Sequence, residues 1–191
     1  MEKSEVLTRS VVENKLAKVG DYVKIDFLRR CLDGASGRAL DIETRQFISL
    51  KLAETYEKIS MFGESAKIIY KLSETSHNDN EQRERIMKSA ELFVKAGIFD
   101  QAGISYRKAL ALAKLDFEKK QVKSSEKAAY MASAKENIAR SRRAQAAKAY
   151  EQMLDITDGA EKTNVVRELM SLYEQMGKVN EYYNLKRAHQ M

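Results

Sequence analysis

The stretch Ala90–Leu110 constrains this chain most, because its order of small and bulky side chains is met again elsewhere in the sequence. Ala90 is followed by Phe93, Ala96–Gly97, Phe99, Ala102, Tyr106 and Ala109–Leu110. The same order runs through Ala53, Tyr56, Ile59–Ser60, Phe62, Ser65, Ile69 and Leu72. It returns at Met170, Tyr173, Met176–Gly177 and Val179, with a fainter copy at Leu16 and Lys18–Tyr22. Steps of three and four residues put the small and bulky groups of each copy on one helix face, and the break between them marks a turn. Each copy is therefore one helix–turn–helix unit.

A single helical hairpin cannot bury both of its faces, so recurring hairpins stack and share a core. Small residues (Ala53 and Ala90 on first helices; Ser65, Ala102 and Ala146 on second helices) let two backbones approach. Large ones (Tyr56, Phe93, Tyr173, Ile69, Tyr106, Tyr150) fill the space between hairpins, each worth roughly 1.5–3 kcal/mol on burial. The turns fall near Gly20, Ser60, Gly97, Ser141 and Gly177. Glycine just past a helix end takes the left-handed conformation without steric cost, a role expected here of Gly20, Gly97 and Gly177 but not of the two serines. Five antiparallel pairs follow: 2–19 with 21–33, 41–60 with 62–75, 80–96 with 98–115, 119–140 with 142–157, and 160–176 with 178–189. Asp158 with Glu161, and Asp79 with Gln82, read as helix starts; Gly34–Gly37 and Ser76–Asn80 read as loops. A break is expected around Leu115–Phe117, with Asp116 as a possible cap and a helix running on through Lys123 as the alternative.

The chain of 191 residues contains no proline and no tryptophan, so helices here end on glycine and polar caps. No alternating pattern predicts a strand. The reading is all-α, a right-handed solenoid of about five helix pairs forming one domain over 1–191. Cys31 is the only cysteine and excludes an intrachain disulfide. No apolar run reaches the length of a membrane span, and MEKSEVLTRSVV has no apolar core of a leader. A cytoplasmic protein without a membrane span is the expectation.

Ala90, Phe93, Gly97, Phe99, Ala102, Tyr106 and Ala109 carry a resemblance to the tetratricopeptide-repeat (TPR) family and the wider group of TPR-like α-solenoids with longer helices. The second and last hairpins match it too. The fourth departs, with Arg143 where an aromatic belongs, and Tyr182 occupies a usually small position in the last. The family's proline is missing throughout, and the spacing of turns exceeds its roughly 34 residues. The resemblance implies a packing code, a concave face lined by the first helix of each pair, and a protein-interaction or scaffold role. Its lining positions would be Phe47, Leu50, Glu54 and Glu57; Glu84, Met87 and Glu91; Met131, Lys135 and Ile138; and Asn164, Arg167, Ser171 and Glu174. The carboxylate clamp of the family needs Lys and Asn where Leu50, Glu54, Met87 and Glu91 stand, so an amphipathic basic helix or strand suits the acid-ringed apolar centres better.

Catalytic inventory is sparse. There is no Gly-rich phosphate loop and no cysteine pair for zinc. Glu74 and His77 have ExxH spacing, but a di-iron bundle needs two copies, and Lys186 stands at the matching position before His189. No catalytic residue, metal or cofactor is expected, and His77 reads as a solvated loop residue. Cys31, beside Phe27 and Leu28, reads as a buried structural thiol. Carboxylates fit helix surfaces, so the chain reads as a non-enzyme.

The net charge of +6 sits in one segment: residues 119–148 hold nine Lys/Arg against two Asp/Glu. Lys119, Lys120, Lys123 and Lys127 recur at steps that put most of them on one helix face, and Arg140, Arg142 and Arg143 cluster at the following turn. A nucleic-acid contact through Lys123, Lys127, Arg140, Arg142 and Arg143 is the alternative reading. It lacks a free aromatic platform, since Tyr130 and Tyr150 stand at packing positions. Met176, Tyr182, Tyr183 and Leu185 make the last pair apolar, which predicts docking on the preceding hairpin or a weak homodimer in place of a monomer.

Overall fold

The computed structural model describes residues 7–33 and 40–189. Among these residues its regular structure is all α-helix, with no strand. The described residues form ten helices: α1 (Arg9–Leu16), α2 (Asp21–Leu32), α3 (Ile42–Lys58), α4 (Phe62–Ser73), α5 (Asp79–Lys95), α6 (Phe99–Leu112), α7 (Asp116–Ala139), α8 (Arg143–Leu154), α9 (Gly159–Gln175) and α10 (Val179–Ala188). The expected start of the first helix at residue 2 and the loop Gly34–Gly37 lie outside the described residues. No helix among the described residues is long and apolar enough to cross a membrane.

One turn recurs four times with the same hydrogen bonds. Met61, Ile98, Arg142 and Lys178 donate their N–H groups to the carbonyls of Tyr56, Phe93, Asn137 and Tyr173 at 2.8–2.9 Å. Ser60, Gly97, Ser141 and Gly177, each one residue earlier, donate to Glu57, Val94, Ile138 and Glu174 at 2.9–3.0 Å. These paired bonds satisfy the last carbonyls of the first helix while the chain reverses. They require a left-handed residue, and φ is 62°, 73°, 57° and 68° at Ser60, Gly97, Ser141 and Gly177. The serines therefore do what was expected only of glycines. Gly20, expected to do the same, instead has φ −71° and ψ 163° and stands as the N-cap of α2. The first hairpin thus has a different turn.

Helix starts differ locally from the sequence expectation. α5 is capped by Asn78, whose side chain accepts the Glu81 N–H at 2.9 Å, while Glu81 accepts the His77 N–H at 2.9 Å. The start is shifted by one residue from Asp79–Gln82. Asp158 precedes α9 without a side-chain cap bond, and Glu161 reaches away to Lys127 at 2.6 Å. Asp41 caps α3 by accepting the Thr44 N–H at 2.7 Å.

Packing follows chain order. Each helix from α2 to α9 packs on the next, α5 also packs on α7, and α1 packs chiefly on α3 rather than on α2, so the expected first pair is not a packed hairpin like the others. One cluster of buried residues runs from Ala53 to Tyr173 and contains the small and bulky repeat positions Ala53, Ile69, Ala90, Phe93, Ala102, Tyr106, Ala146 and Tyr150. A second gathers Val12, Ile25, Leu28, Cys31, Ile48, Leu52 and Tyr56 around α1–α3. Small residues mark close approach, as where the Ser89 hydroxyl of α5 donates to the Ala66 carbonyl of α4 at 2.8 Å. Cys31 is buried, and burial pushes its thiol pKa up, which suits an inert core thiol.

α3, α5 and α9 each have 17 residues, whereas α7 has 24. The extra seven residues equal the excess of the Gly97–Ser141 spacing over that from Ser60 to Gly97. They form an N-terminal extension of α7, which begins at Asp116 after a break at Ala113–Leu115. The extension is held by a buried ion pair, Arg83 Nη1 to Glu118 Oε1 at 2.6 Å. Glu118 also accepts the N–H groups of Lys114 and Leu115 at 2.8 and 2.9 Å, closing the helix start from its third position.

At the other end, α10 packs Tyr182 and Leu185 against the main cluster and buries no residue fully. The last helix thus packs on α9, its partner in the same hairpin. Val179 and Tyr183 stay exposed, and the Tyr182 and Tyr183 rings meet edge to face at 5.4 Å.

Candidate functional site

The first helices of the recurring hairpins, α3, α5, α7 and α9, carry the predicted lining residues, and the structure treats them differently along the chain. On α3, Leu50 is half-buried against the main core. Glu54 pairs with Lys51 at 2.7 Å and lines a cleft of about 420 Å³ shared with α1 and α2. Glu57 holds Lys88 of α5 at 2.9 Å. On α5, Met87 is buried in the core and not on a groove wall, because its step on the helix coincides with that of Ala90 and Phe93. Glu91 accepts the Ser125 hydroxyl of α7 at 2.9 Å. Glu84 is exposed and has no ion pair among the described residues. The acids expected to ring a basic partner are thus partly engaged: Glu57 and Glu91 are rungs between first helices.

Between α7 and α9 the arrangement opens. These helices are tied at one end by Lys127 Nζ to Glu161 at 2.6 Å, and the other end is closed by Arg143 of α8, whose Nε donates to Gln175 of α9 at 2.9 Å. Between the ties lies a trough of about 520 Å³ lined by Met131, Lys135, Ile138, Ala139, Tyr150, Asn164, Val165 and Glu168. A smaller hollow of about 140 Å³ continues from it through Ile138 and Glu168 to Ser171 and Gln175. Met131, Lys135, Ile138 and Asn164 were named from the sequence; Tyr150, Val165 and Glu168 were not. Glu168 lies four residues after Asn164, so the helical step alone put it on the same face.

The floor of the trough is apolar and its rim charged. Tyr150 is buried, and burial with the nearby Glu168 carboxylate pushes its pKa up. Ile138 is 40% exposed. Lys135 on α7 and Glu168 on α9 are exposed and make no ion pair among the described residues. Arg167 donates to Asn164 at 3.2 Å beside the trough.

The basic segment is not one patch. Lys123 and Arg140 are 17 residues apart on one helix, about 25 Å along its axis. Lys127 is paired with Glu161, which raises its pKa first through that hydrogen bond. Arg140 is paired with Glu136 at 2.8 Å, and Arg143 is held by Gln175. Lys123 and Arg142 remain exposed and without an ion pair among the described residues. His77 is exposed, and the described residues contain no group of three metal-binding side chains.

Comparison with protein-family models, with curated proteins and with solved structures found no match.

Proposed function

We propose that this chain is a right-handed TPR-like α-solenoid of about five helix pairs, working as a non-enzymatic protein-interaction module or scaffold. The observation that carries the reading is the hairpin turn repeated at Ser60, Gly97, Ser141 and Gly177, together with packing in chain order. Hairpins stacked this way present their first helices side by side as a preformed surface. A partner then docks with little ordering cost on this side. The face runs from Leu50, Glu54 and Glu84 through Met131, Lys135 and Ile138 to Arg167.

Affinity capture from native extract tests this reading. The comparison is between the unaltered protein and a variant carrying Glu54→Lys, Glu84→Lys, Lys135→Glu and Ile138→Asp, all exposed positions. Proteins captured by the first and lost by the second, irrespective of nuclease treatment, support an interaction face on the first helices. An unchanged set of captured proteins contradicts it, and a set abolished by nuclease favours the basic segment instead.

A further inference from the structure

We infer that the trough between α7 and α9 is the docking site, and that its occupant is one amphipathic helix of a partner protein carrying acidic residues along one flank and basic residues along the other. The inference rests on the interaction-module reading and names the site and ligand within it.

The first helices are joined unequally. α3 and α5 are bridged by Glu57–Lys88. α5 and α7 pack directly and are tied by Arg83–Glu118 and Glu91–Ser125. α7 and α9 are tied directly only by Lys127–Glu161, and α8 closes the far end through Arg143–Gln175, which leaves the trough between these two bonds. From Lys127 to the end of α7 at Ala139 the helix advances about 18 Å, a little over three turns. A volume of about 520 Å³, with 140 Å³ beyond it, takes side chains and not a whole helix, so a ligand lies over the trough and drops anchors into it.

An extended peptide would need backbone partners, and the described residues offer no strand edge. A helix satisfies its own backbone and needs only an apolar ridge, at steps of three and four, to cover Met131, Ile138 and Val165. The two rims then select charge. Lys135 and Glu168 face one trough from opposite walls, carry opposite signs, and have no ion pair with each other or with any other described residue. A helix with an acid toward α7 and a base toward α9 completes both, and the charge order fixes which way the helix points.

Three fluorescent helical peptides with one apolar ridge test this by anisotropy: one with glutamates on one flank and lysines on the other, one with glutamates on both, and one with lysines on both. The protein should bind the mixed peptide most tightly. Lys135→Glu should turn the preference toward the all-lysine peptide and Glu168→Lys toward the all-glutamate peptide, each by about fivefold. Ile138→Asp should weaken all three. The same order of preference in all proteins, or no binding by the unaltered protein, overturns the inference. A native partner lost on Glu54→Lys with Glu84→Lys but retained by Ile138→Asp also overturns it, while leaving the interaction-module reading intact.

Discussion

Arg83 and Glu118 lie 35 residues apart and form an ion pair at 2.6 Å, with their side chains only 6% and 7% exposed. The pair joins the start of α5 to the added turns of α7 and sets where that long helix begins. Arg83 also donates to Asn80 at 3.1 Å, and its Nε has no hydrogen-bond partner. Burying two charges gains specificity of placement more readily than stability, but removing one partner strands the other.

Glu118 therefore predicts an acid-sensitive joint. The N–H of Leu115 first, then that of Lys114 and the Arg83 guanidinium, hold its carboxyl below the usual value. A depressed folded-state pKa contributes stability above the unfolded value of about 4.3 and loses it as pH falls through the folded value. Glu118→Gln should lower Tm by roughly 5 °C near neutral pH, and the gap from the unaltered protein should close below about pH 4. Thermal melts followed by circular dichroism across that range measure it; a gap constant with pH would contradict the charge argument.

The left-handed serines predict the opposite sign. Ser60→Gly and Ser141→Gly remove a steric penalty at φ 62° and 57°, partly offset by the greater freedom of glycine in the unfolded chain. Each should stabilise by about 0.5 kcal/mol. Gly97→Ala and Gly177→Ala place a Cβ at φ 73° and 68° and should each lose about 1 kcal/mol. Urea unfolding of the four variants decides, and a loss of stability at both serines would show that their side chains matter more than their backbone.

Close approach of α4 and α5 makes Ala66 sensitive to size. It is fully buried, and its carbonyl accepts the Ser89 hydroxyl. Ala66→Leu should cost about 2 kcal/mol by forcing the helices apart, whereas Ala111→Leu, exposed on α6, should cost almost nothing. Equal effects at the two sites would contradict packing through small residues.

The hairpins were legible because Ala53, Tyr56, Ala90, Phe93, Ala102 and Tyr106 obey a local rule: small and bulky groups at helical steps. Ser60 and Ser141 were not legible as left-handed residues, because glycine normally marks that conformation and the turn imposes it here regardless. Gly20 misled for the same reason, its freedom being unused at an N-cap. Arg83–Glu118 was hidden because each residue looks like an ordinary helix-surface charge until α5 and α7 are side by side. Glu57 and Glu91 were placed on the first helices correctly, but their engagement with Lys88 and Ser125 depends on neighbouring layers that a single helix pattern does not contain. Half of the trough, Met131, Lys135, Ile138 and Asn164, was named from helix position; Tyr150 comes from the second helix beneath and needed the tertiary fold.

Backbone hydrogen exchange of the protein with and without the mixed-flank helical peptide is the most direct test of inner-face recognition. Protection should rise over Met131–Ile138 of α7 and Asn164–Glu168 of α9 and stay unchanged over α2 and α4. Protection confined to α2, α4 or α10, with α7 and α9 unaffected, would contradict the account.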